Sequence, residues 1–173
     1  MKYFKKVMVV TIATCFFYSA EGMAACSLQH YPLDASYADI QGKLNMSGLQ
    51  GGKSEAILSV SGEQVCNSHR AFLGAAVNFT FLYEKLVQIE ITRYSKKKPI
   101  LVRWAESVHG AKQVKPPSFF SNEPNAQWSW NKPSAVITYS ITSEGLDLVE
   151  YVQIQSKTHD SLFVRHAKEL EKQ

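Results

Sequence analysis

The sequence predicts an α+β fold: a single domain built mainly on an antiparallel sheet, with a C-terminal helix and a long loop rich in aromatic residues and proline. Two observations carry this prediction. Neighbouring segments alternate apolar and polar side chains with no helical segment between them, which argues against a parallel sheet with helical crossovers. The last segment instead spaces its apolar residues at helical intervals.

The first half of the sheet is predicted from alternation. Residues 55–61 are expected to form a strand, and residues 77–83 and 87–92 two more that turn near residues 84–85. A helical stripe competes in this region. The β-branched and aromatic side chains after residue 77 favour strands, so we keep a helix only for residues 68–76.

The second half of the sheet follows the same reasoning. The apolar run at residues 100–105, directly after Pro99, is predicted to be a strand. Residues 134–142 and 146–156 are two further candidates, joined at residues 143–145, where Gly145 can supply the positive φ that a tight hairpin needs. This is the strongest hairpin pattern in the chain.

Two helices are predicted at the ends of the sheet. Residues 33–40 suit a short helix that stops at Gly42. A final helix would be capped by Thr158 or Asp160. Its predicted apolar face consists of Leu162, Phe163, Ala167 and Leu170.

The N-terminus has the pattern of an export signal. Lys2, Lys5 and Lys6 precede an apolar run at residues 7–18, and small residues follow up to Ala24. The apolar run is too short to cross a bilayer as a helix, so we expect a signal peptide at residues 1–24 and an exported α+β domain at residues 25–173. The expected location is the periplasm or the extracellular space.

Charge excludes one class of partner. The signal would take three lysines and one glutamate with it, so the formal net charge of +4 becomes about +2 for the exported domain. Such a weak excess argues against nucleic acid binding. The run of lysines at residues 96–98 resembles a minimal anion patch, although three lysines at a turn usually just face water.

The cysteines lead to two alternatives. Cys15 would leave with the signal, so Cys26 and Cys66 form an even pair in an oxidising compartment and are predicted to be disulfide-bonded. The competing interpretation is a bacterial lipoprotein, in which Cys26 is lipidated and anchors the protein to a membrane. Met23 in place of an aliphatic residue, and the odd thiol that would remain, disfavour it.

The segment most open to a functional interpretation spans residues 112–133. It holds four prolines and the aromatic residues Phe119, Phe120, Trp128 and Trp130, which we assign to a binding surface. If residues 127–131 are extended, the two tryptophans project from one face and form an apolar platform. The alternative is that these rings fold back and cover the sheet as core.

No metal, cofactor or nucleophile pattern is present in the sequence. The five histidines are dispersed, with none in a recognised metal-binding arrangement; they are His30, His69, His109, His159 and His166. There is no Gly-x-Ser-x-Gly motif and no glycine-rich phosphate loop. We therefore assign no cofactor, no metal and no catalytic residue.

One acidic residue stands out. Glu150 occupies a register otherwise held by Leu146, Leu148, Val152 and Ile154. A carboxylate on an apolar face is more often paired than catalytic.

These observations predict a small exported binding protein that lacks enzymatic activity and has a protein partner. An inhibitor or immunity protein directed against a cell-envelope-targeting enzyme is the most concrete form of this prediction. The first alternative is a secreted hydrolase or toxin that acts on a cell-wall substrate. The second is an envelope lipoprotein lipidated at Cys26.

Overall fold

The computed structural model describes residues 26, 28–46, 54–96, 98–111, 126–144 and 147–172. Its centre is one antiparallel sheet of six strands, in the order β1-β2-β3-β6-β5-β4. The strands are β1 (Glu55–Ser61), β2 (Ala75–Leu82), β3 (Lys85–Ser95), β4 (Ala126–Asn131), β5 (Ala135–Glu144) and β6 (Asp147–Ser156). The α+β class predicted from the sequence is confirmed.

Four α-helices and a 3-10 turn at Leu28–His30 accompany the sheet. The helices are α1 (Tyr37–Lys43), α2 (Gly62–Val65), α3 (Leu101–His109) and α4 (Asp160–Leu170). The sheet consists of two three-stranded meanders, β1-β2-β3 and β4-β5-β6, that join where β3 pairs with β6. The connection that contains α3 links β3, at the centre of the sheet, to β4 at its edge.

The hydrophobic core lies on one face of the sheet, which we call the core face. Strand residues of one parity point toward it, and the N-terminal segment packs on it through Tyr31 against Phe79, with ring centroids 5.1 Å apart. Helix α3 packs there too, since Trp104 meets Phe72 edge-on at 5.2 Å. Helix α4 packs on the opposite face, near β2, where its His166 lies 3.3 Å from Glu55.

Several elements match their sequence predictions. Strand β1 has the predicted limits, and β2 and β3 turn through Tyr83 and Glu84, both with positive φ as in a type I′ hairpin. Strands β5 and β6 pair along their length from Ala135↔Ser156 to Glu144↔Asp147, which confirms the second hairpin. Its predicted turn glycine lies outside the described residues.

The prediction of a strand at residues 100–105 was wrong. These residues open helix α3, in which Leu101, Trp104, Ala105 and Val108 share a buried or half-buried side. The apolar run is the first turn of an amphipathic helix, and Gly110, with φ of 92°, ends it.

The predicted helix at residues 68–76 was also wrong. Residues 67–74 form turns and β2 begins at Ala75. The turns are fixed by contacts distant in sequence: the Gly74 N–H donates to Glu63 Oε1 at 2.6 Å. The Phe72 carbonyl also sits so close to Gly62 that a Cβ there would collide with it.

The two terminal helices differ in detail from prediction. Helix α1 begins after Ser36, which forms a capping box with Asp39, and continues past the expected stop at Gly42. Helix α4 lies where expected, but its half-buried side contains Leu162, Phe163 and His166, whereas Ala167 and Leu170 are exposed. The side of the helix that packs against the sheet is therefore not the apolar side that the sequence predicts, but one rotated about the helix axis from it.

Candidate functional site

The buried carboxylate of Glu150 holds the start of helix α3. Glu150 lies on the core face of β6 and its relative exposure is 0%. Its Oε1 accepts the backbone N–H of Leu101 at 2.9 Å, and its Oε2 accepts that of Ile100 at 2.8 Å. The N–H of Val102 also points at Oε1, at 3.4 Å.

This contact replaces a helix cap. The first N–H groups of an α-helix have no partner within the helix, and a negative charge there is favoured by the helix dipole. Ile100, at the N-cap position of α3, has no side chain that could accept a hydrogen bond. Glu150 therefore supplies from the sheet what the helix lacks in its own sequence.

Tyr139 completes the surroundings of Glu150. Its hydroxyl donates to Glu150 Oε1 at 3.1 Å from the neighbouring strand β5. Burial, reinforced by the adjacent Glu150 charge, raises the pKa of Tyr139 far above its ordinary value, so the phenol remains a donor. The Glu150 carboxylate is thus surrounded by donors that serve the fold.

His109 lies at the other end of α3, in an aromatic cluster. Its ring is 6.1 Å from that of Trp104 and 6.0 Å from that of Trp130. Burial, with a smaller contribution from Lys132, lowers the pKa of His109. Among the described residues its Nε2 is buried without a hydrogen-bond partner, so the neutral ring is packed as an aromatic group.

A small cavity adjoins this cluster. It has a volume of about 290 Å³, and most of its wall is apolar, with Leu28, Tyr31, Ile89 and Ile154 among the lining residues. His109 and Ser134 are its polar members near α3 and β5. Glu150 is not among its lining residues, so the two groups that sequence reasoning would test first for acid–base chemistry do not converge on this cavity.

The exposed platform expected from Trp128 and Trp130 is not found. The two rings share a face of β4, as their spacing predicts, but it is the core face, and they are only 3% and 2% exposed. The Trp130 Nε1–H donates to the Gly110 carbonyl at 2.9 Å. Both tryptophans are core residues, which is the second of the two interpretations that the sequence left open.

Phe119 and Phe120 lie outside the described residues. Their assignment to a binding surface stays a prediction. Of the segment between residues 112 and 133, the described part begins with edge strand β4, whose Gln127 and Ser129 side chains are exposed.

The predicted cysteine pair is brought together. Cys26 and Cys66 are joined in the structure, with Cα atoms 6.1 Å apart, inside the usual range for a disulfide. The Trp104 Nε1–H donates to the Cys26 carbonyl at 2.7 Å. The pair and this hydrogen bond attach the first described residue to helix α3 and to the turns after β1.

The remaining histidines are far from forming one centre. His159 Nε2 lies 3.0 Å from Asp34 Oδ1, and His166 pairs with Glu55. In the described ranges, no three histidine, cysteine or acidic side chains are grouped closely enough to hold a metal ion. Both carboxylate-paired histidines instead help to attach the segment that contains α4.

Sequence reasoning missed the second face of the sheet, which we call the polar face. Its members point away from the core and are all half-buried or exposed. They are Asn78, Thr80, Gln88, Glu90, Thr92, Tyr94, Thr138, Ser140, Thr142, Tyr151, Gln153 and Gln155; Glu55, Val136, Asp147 and the buried Val149 lie on the same side of the sheet. The signal was available in the alternation itself, since the polar positions of these four strands carry mostly amides, hydroxyls and phenols, with Glu90 and Asp147 as charged residues.

The polar face has internal order. The Gln153 Nε2–H donates to Gln88 Oε1 at 2.7 Å across the central strand pair. Thr138 and Gln153 are paired in register beside them. The Gln153–Gln88 hydrogen bond holds two amide side chains in place at the centre of the polar face.

Comparison with known proteins gives no relative for this chain: no family model, no curated protein and no solved structure matches it. No helix in the described ranges has the length and apolar character needed to cross a membrane.

Proposed function

We propose that this protein is an exported binding protein that recognises a protein partner through the polar face of its sheet and does not turn over a substrate. An inhibitor or immunity protein against a cell-envelope-targeting enzyme combines these properties. The composition of the polar face is the observation that carries the proposal.

That composition is typical of a recognition surface. Protein interfaces are depleted of charged residues at their centre and enriched in aromatic ones, and antibody combining sites rely on tyrosine with short polar side chains. The polar face carries two tyrosines, Tyr94 and Tyr151, among hydroxyl and amide side chains; its charged residues are Glu90, Asp147 at the start of β6 and Glu55 on the edge strand β1. A solvent-facing sheet surface with no binding role commonly carries lysine and glutamate instead.

The size of this face also suits a protein partner. Six strands of six to eleven residues, about 4.8 Å apart, span on average roughly 24 Å by 29 Å, or about 700 Å². A standard interface buries about 800 Å² on each partner. Helix α4 takes the corner near β2, and the exposed side of β4 extends the surface at the opposite edge.

Two further observations support export and binding. The N-terminal signal pattern and the Cys26–Cys66 pair both fit an oxidising compartment such as the periplasm. The side chains best suited to acid–base chemistry serve the fold instead: Glu150 caps α3, and His109 is packed between tryptophans.

Partner capture tests the proposal. The tagged protein and two variants would be used to recover binding proteins from exported fractions of the source cells. Thr138→Arg places a bulky charge at the centre of the polar face and should abolish capture. Ala38→Arg adds the same charge on the exposed side of α1 and should leave capture unchanged.

Either of two results would contradict the proposal. One is a partner that both arginine variants retain equally. The other is turnover of a peptidoglycan, glycan, ester or phosphodiester substrate that disappears in Glu150→Gln or His109→Gln while the variant stays folded. The second result would favour the secreted hydrolase.

A further inference from the structure

A second cavity lies between the turns after α2 and the start of α3. Its volume is about 350 Å³, within the range of small-molecule sites. His69 and Arg70 line it from the turns, while Lys98 and Arg103 line it from the region around the start of α3. Among the residues that the structure describes, no acidic one lines it.

Three positively charged side chains line this cavity. Among the described residues, the side chains of Arg70, Lys98 and Arg103 take part in no ion pair or hydrogen bond. Two acids of the neighbouring elements are used elsewhere, because Glu150 holds the N–H groups of α3 and Glu63 accepts the Gly74 N–H. Glu106, three residues after Arg103 on α3, does not line the cavity. Three like charges converge on one space and repel one another when it is empty.

His69 adds a directed donor. Its Nδ1 accepts the backbone N–H of Ala71 at 3.1 Å. Because Nδ1 accepts, Nε2 is the ring nitrogen that can donate to a bound group. The wall that carries Arg70 thus also presents an N–H donor.

Both walls are anchored. The turns that carry His69 and Arg70 are attached through the Cys26–Cys66 pair and through Arg93, which donates to the Ala71 carbonyl at 3.2 Å. The opposite wall is held at its start by Glu150. A site between two fixed walls binds a ligand at low ordering cost.

Part of the cavity lining is apolar. Pro99, Ile100 and Trp104 contribute to the lining together with the charged side chains. A fully hydrated ion would make no favourable apolar contact with this surface. An anion joined to a compact apolar group would contact both parts.

We propose that this cavity binds an oxyanion, either a carboxylate or a phosphate, carried on a compact apolar body. Arg70, Arg103 and Lys98 contact the oxygens, with the arginines offering paired N–H groups that match oxyanion geometry. Pro99, Ile100 and Trp104 contact the body. The site is separate from the polar face, and it also gives a role to the lysine at the end of the run at residues 96–98.

A titration with defined probes, monitored by NMR, tests this site. The purified protein, expressed from the full-length sequence, would be titrated with phenyl phosphate, benzoate, inorganic phosphate and benzyl alcohol. Phenyl phosphate or benzoate should shift the backbone signals of His69, Arg70 and Arg103 and the Trp104 indole signal, and should bind at least tenfold more tightly than neutral benzyl alcohol. The preference between the two aromatic anions identifies the oxyanion.

Matched variants separate a built site from general attraction to positive charge. Arg103→Gln and Lys98→Gln should each weaken binding of the better probe at least fivefold, while Lys168→Gln, an equally exposed lysine on α4, should not change it. Thermal unfolding checks that each variant is folded. If Arg103→Gln does not fold, Lys98→Gln still tests the site. Equal affinity for benzyl alcohol, shifts spread over the whole surface, or equal losses in all three variants would overturn the proposal.

Discussion

At the scale of single residues, Glu150 shows how a group that looks functional in sequence can be structural. A charged residue on the apolar side of a strand invites a catalytic interpretation. In the structure Glu150 caps helix α3, and its first partner, Ile100, lies 50 residues before it in the sequence. A buried carboxylate is tolerated because backbone N–H groups and a phenol surround it.

Replacement of Glu150 is expected to destabilise the fold. Glu150→Gln removes the charge that favours the N-terminus of α3 and places an amide N–H group against backbone donors, so the free energy of unfolding should fall by about 2–4 kcal/mol. Urea unfolding measures this change. Tyr139→Phe, which removes one donor only, should lose about 1 kcal/mol.

A control variant makes this prediction specific. Glu171→Gln, at the exposed end of α4, should leave the free energy of unfolding nearly unchanged. If Glu150→Gln were as stable as the wild type, the cap assigned to Glu150 would be incorrect.

His109 should make the fold sensitive to mild acid. Because burial lowers the pKa of His109 in the folded protein, the unfolded chain binds a proton at higher pH than the folded chain does. The contribution to stability is therefore complete above the unfolded pKa, near 6.5, and declines as pH falls below it. Urea unfolding at pH 7.5 and pH 5.5 should show lower stability at the lower pH.

The comparison with His109→Phe isolates this contribution. Phenylalanine keeps a ring between Trp104 and Trp130 but does not titrate. The free energy of unfolding should therefore fall less between pH 7.5 and pH 5.5 in this variant than in the wild type. His30→Gln, at an exposed position, should decline like the wild type. An identical decline in wild type and His109→Phe would show that His109 is not the acid-sensitive group.

At the scale of elements, strand β4 combines both faces of the sheet. Trp128 and Trp130 are buried on one side, while Gln127 and Ser129 face solvent on the other. The strand thus attaches the edge of the sheet to helix α3 through the Trp130–Gly110 hydrogen bond. Its exposed side continues the polar face.

This division predicts opposite effects for neighbouring residues. Trp130→Ala should lower the free energy of unfolding by about 3–5 kcal/mol, since it leaves a large cavity. Ser129→Ala, one position away on the other side, should change it by less than about 0.5 kcal/mol. Chemical unfolding of both variants, with partner affinity measured on folded protein, checks the assignment; a stable Trp130→Ala variant with lost affinity would restore the tryptophan as an exposed anchor.

Prediction from the sequence succeeded where local pattern decides the structure. The strands at β1, β2, β3, β5 and β6 follow from alternation, because one side of each strand faces the core. Helix α3 and the turns at residues 67–74 could not be predicted in this way. Glu150 stabilises the first and Glu63 the second, and both partners are distant in sequence.

The candidate sites show the same limit. The spacing of Trp128 and Trp130 correctly placed them on one face, but spacing does not say which face is covered. The cluster of Arg70, Lys98 and Arg103 depends on the path of the chain between β1 and α3, for which one sequence offers no local signal. The cysteine pairing was predictable because only two cysteines remain after the signal.

At the scale of the whole molecule, the Cys26–Cys66 pair fixes the N-terminal segment to the end of helix α2. It spans 40 residues, which corresponds to about 4 kcal/mol of stabilisation in the chain-entropy model. Cys66→Ser should lower the free energy of unfolding by about 4 kcal/mol, and a reductant should have the same effect on the wild type. The double variant Cys26→Ser/Cys66→Ser should match the single one.

Intact-mass analysis distinguishes the alternatives for Cys26. The unreduced protein should show no alkylatable thiol, and its mass should be that of a chain that begins at residue 25. Two free thiols would contradict the pairing in the exported protein. A diacylglycerol mass on Cys26 would favour the envelope lipoprotein.

The polar face gives the whole molecule its proposed role, because the sheet presents it opposite the core over two meanders. The measurement that tests this most directly is the Kd of the captured partner for the wild type, Thr92→Arg, Thr138→Arg and Ala38→Arg. Thr92 and Thr138 lie on the two halves of the sheet, in β3 and β5. Both face variants should bind at least tenfold more weakly than the wild type, with Ala38→Arg unchanged; wild-type affinity in both face variants would contradict the proposed binding surface.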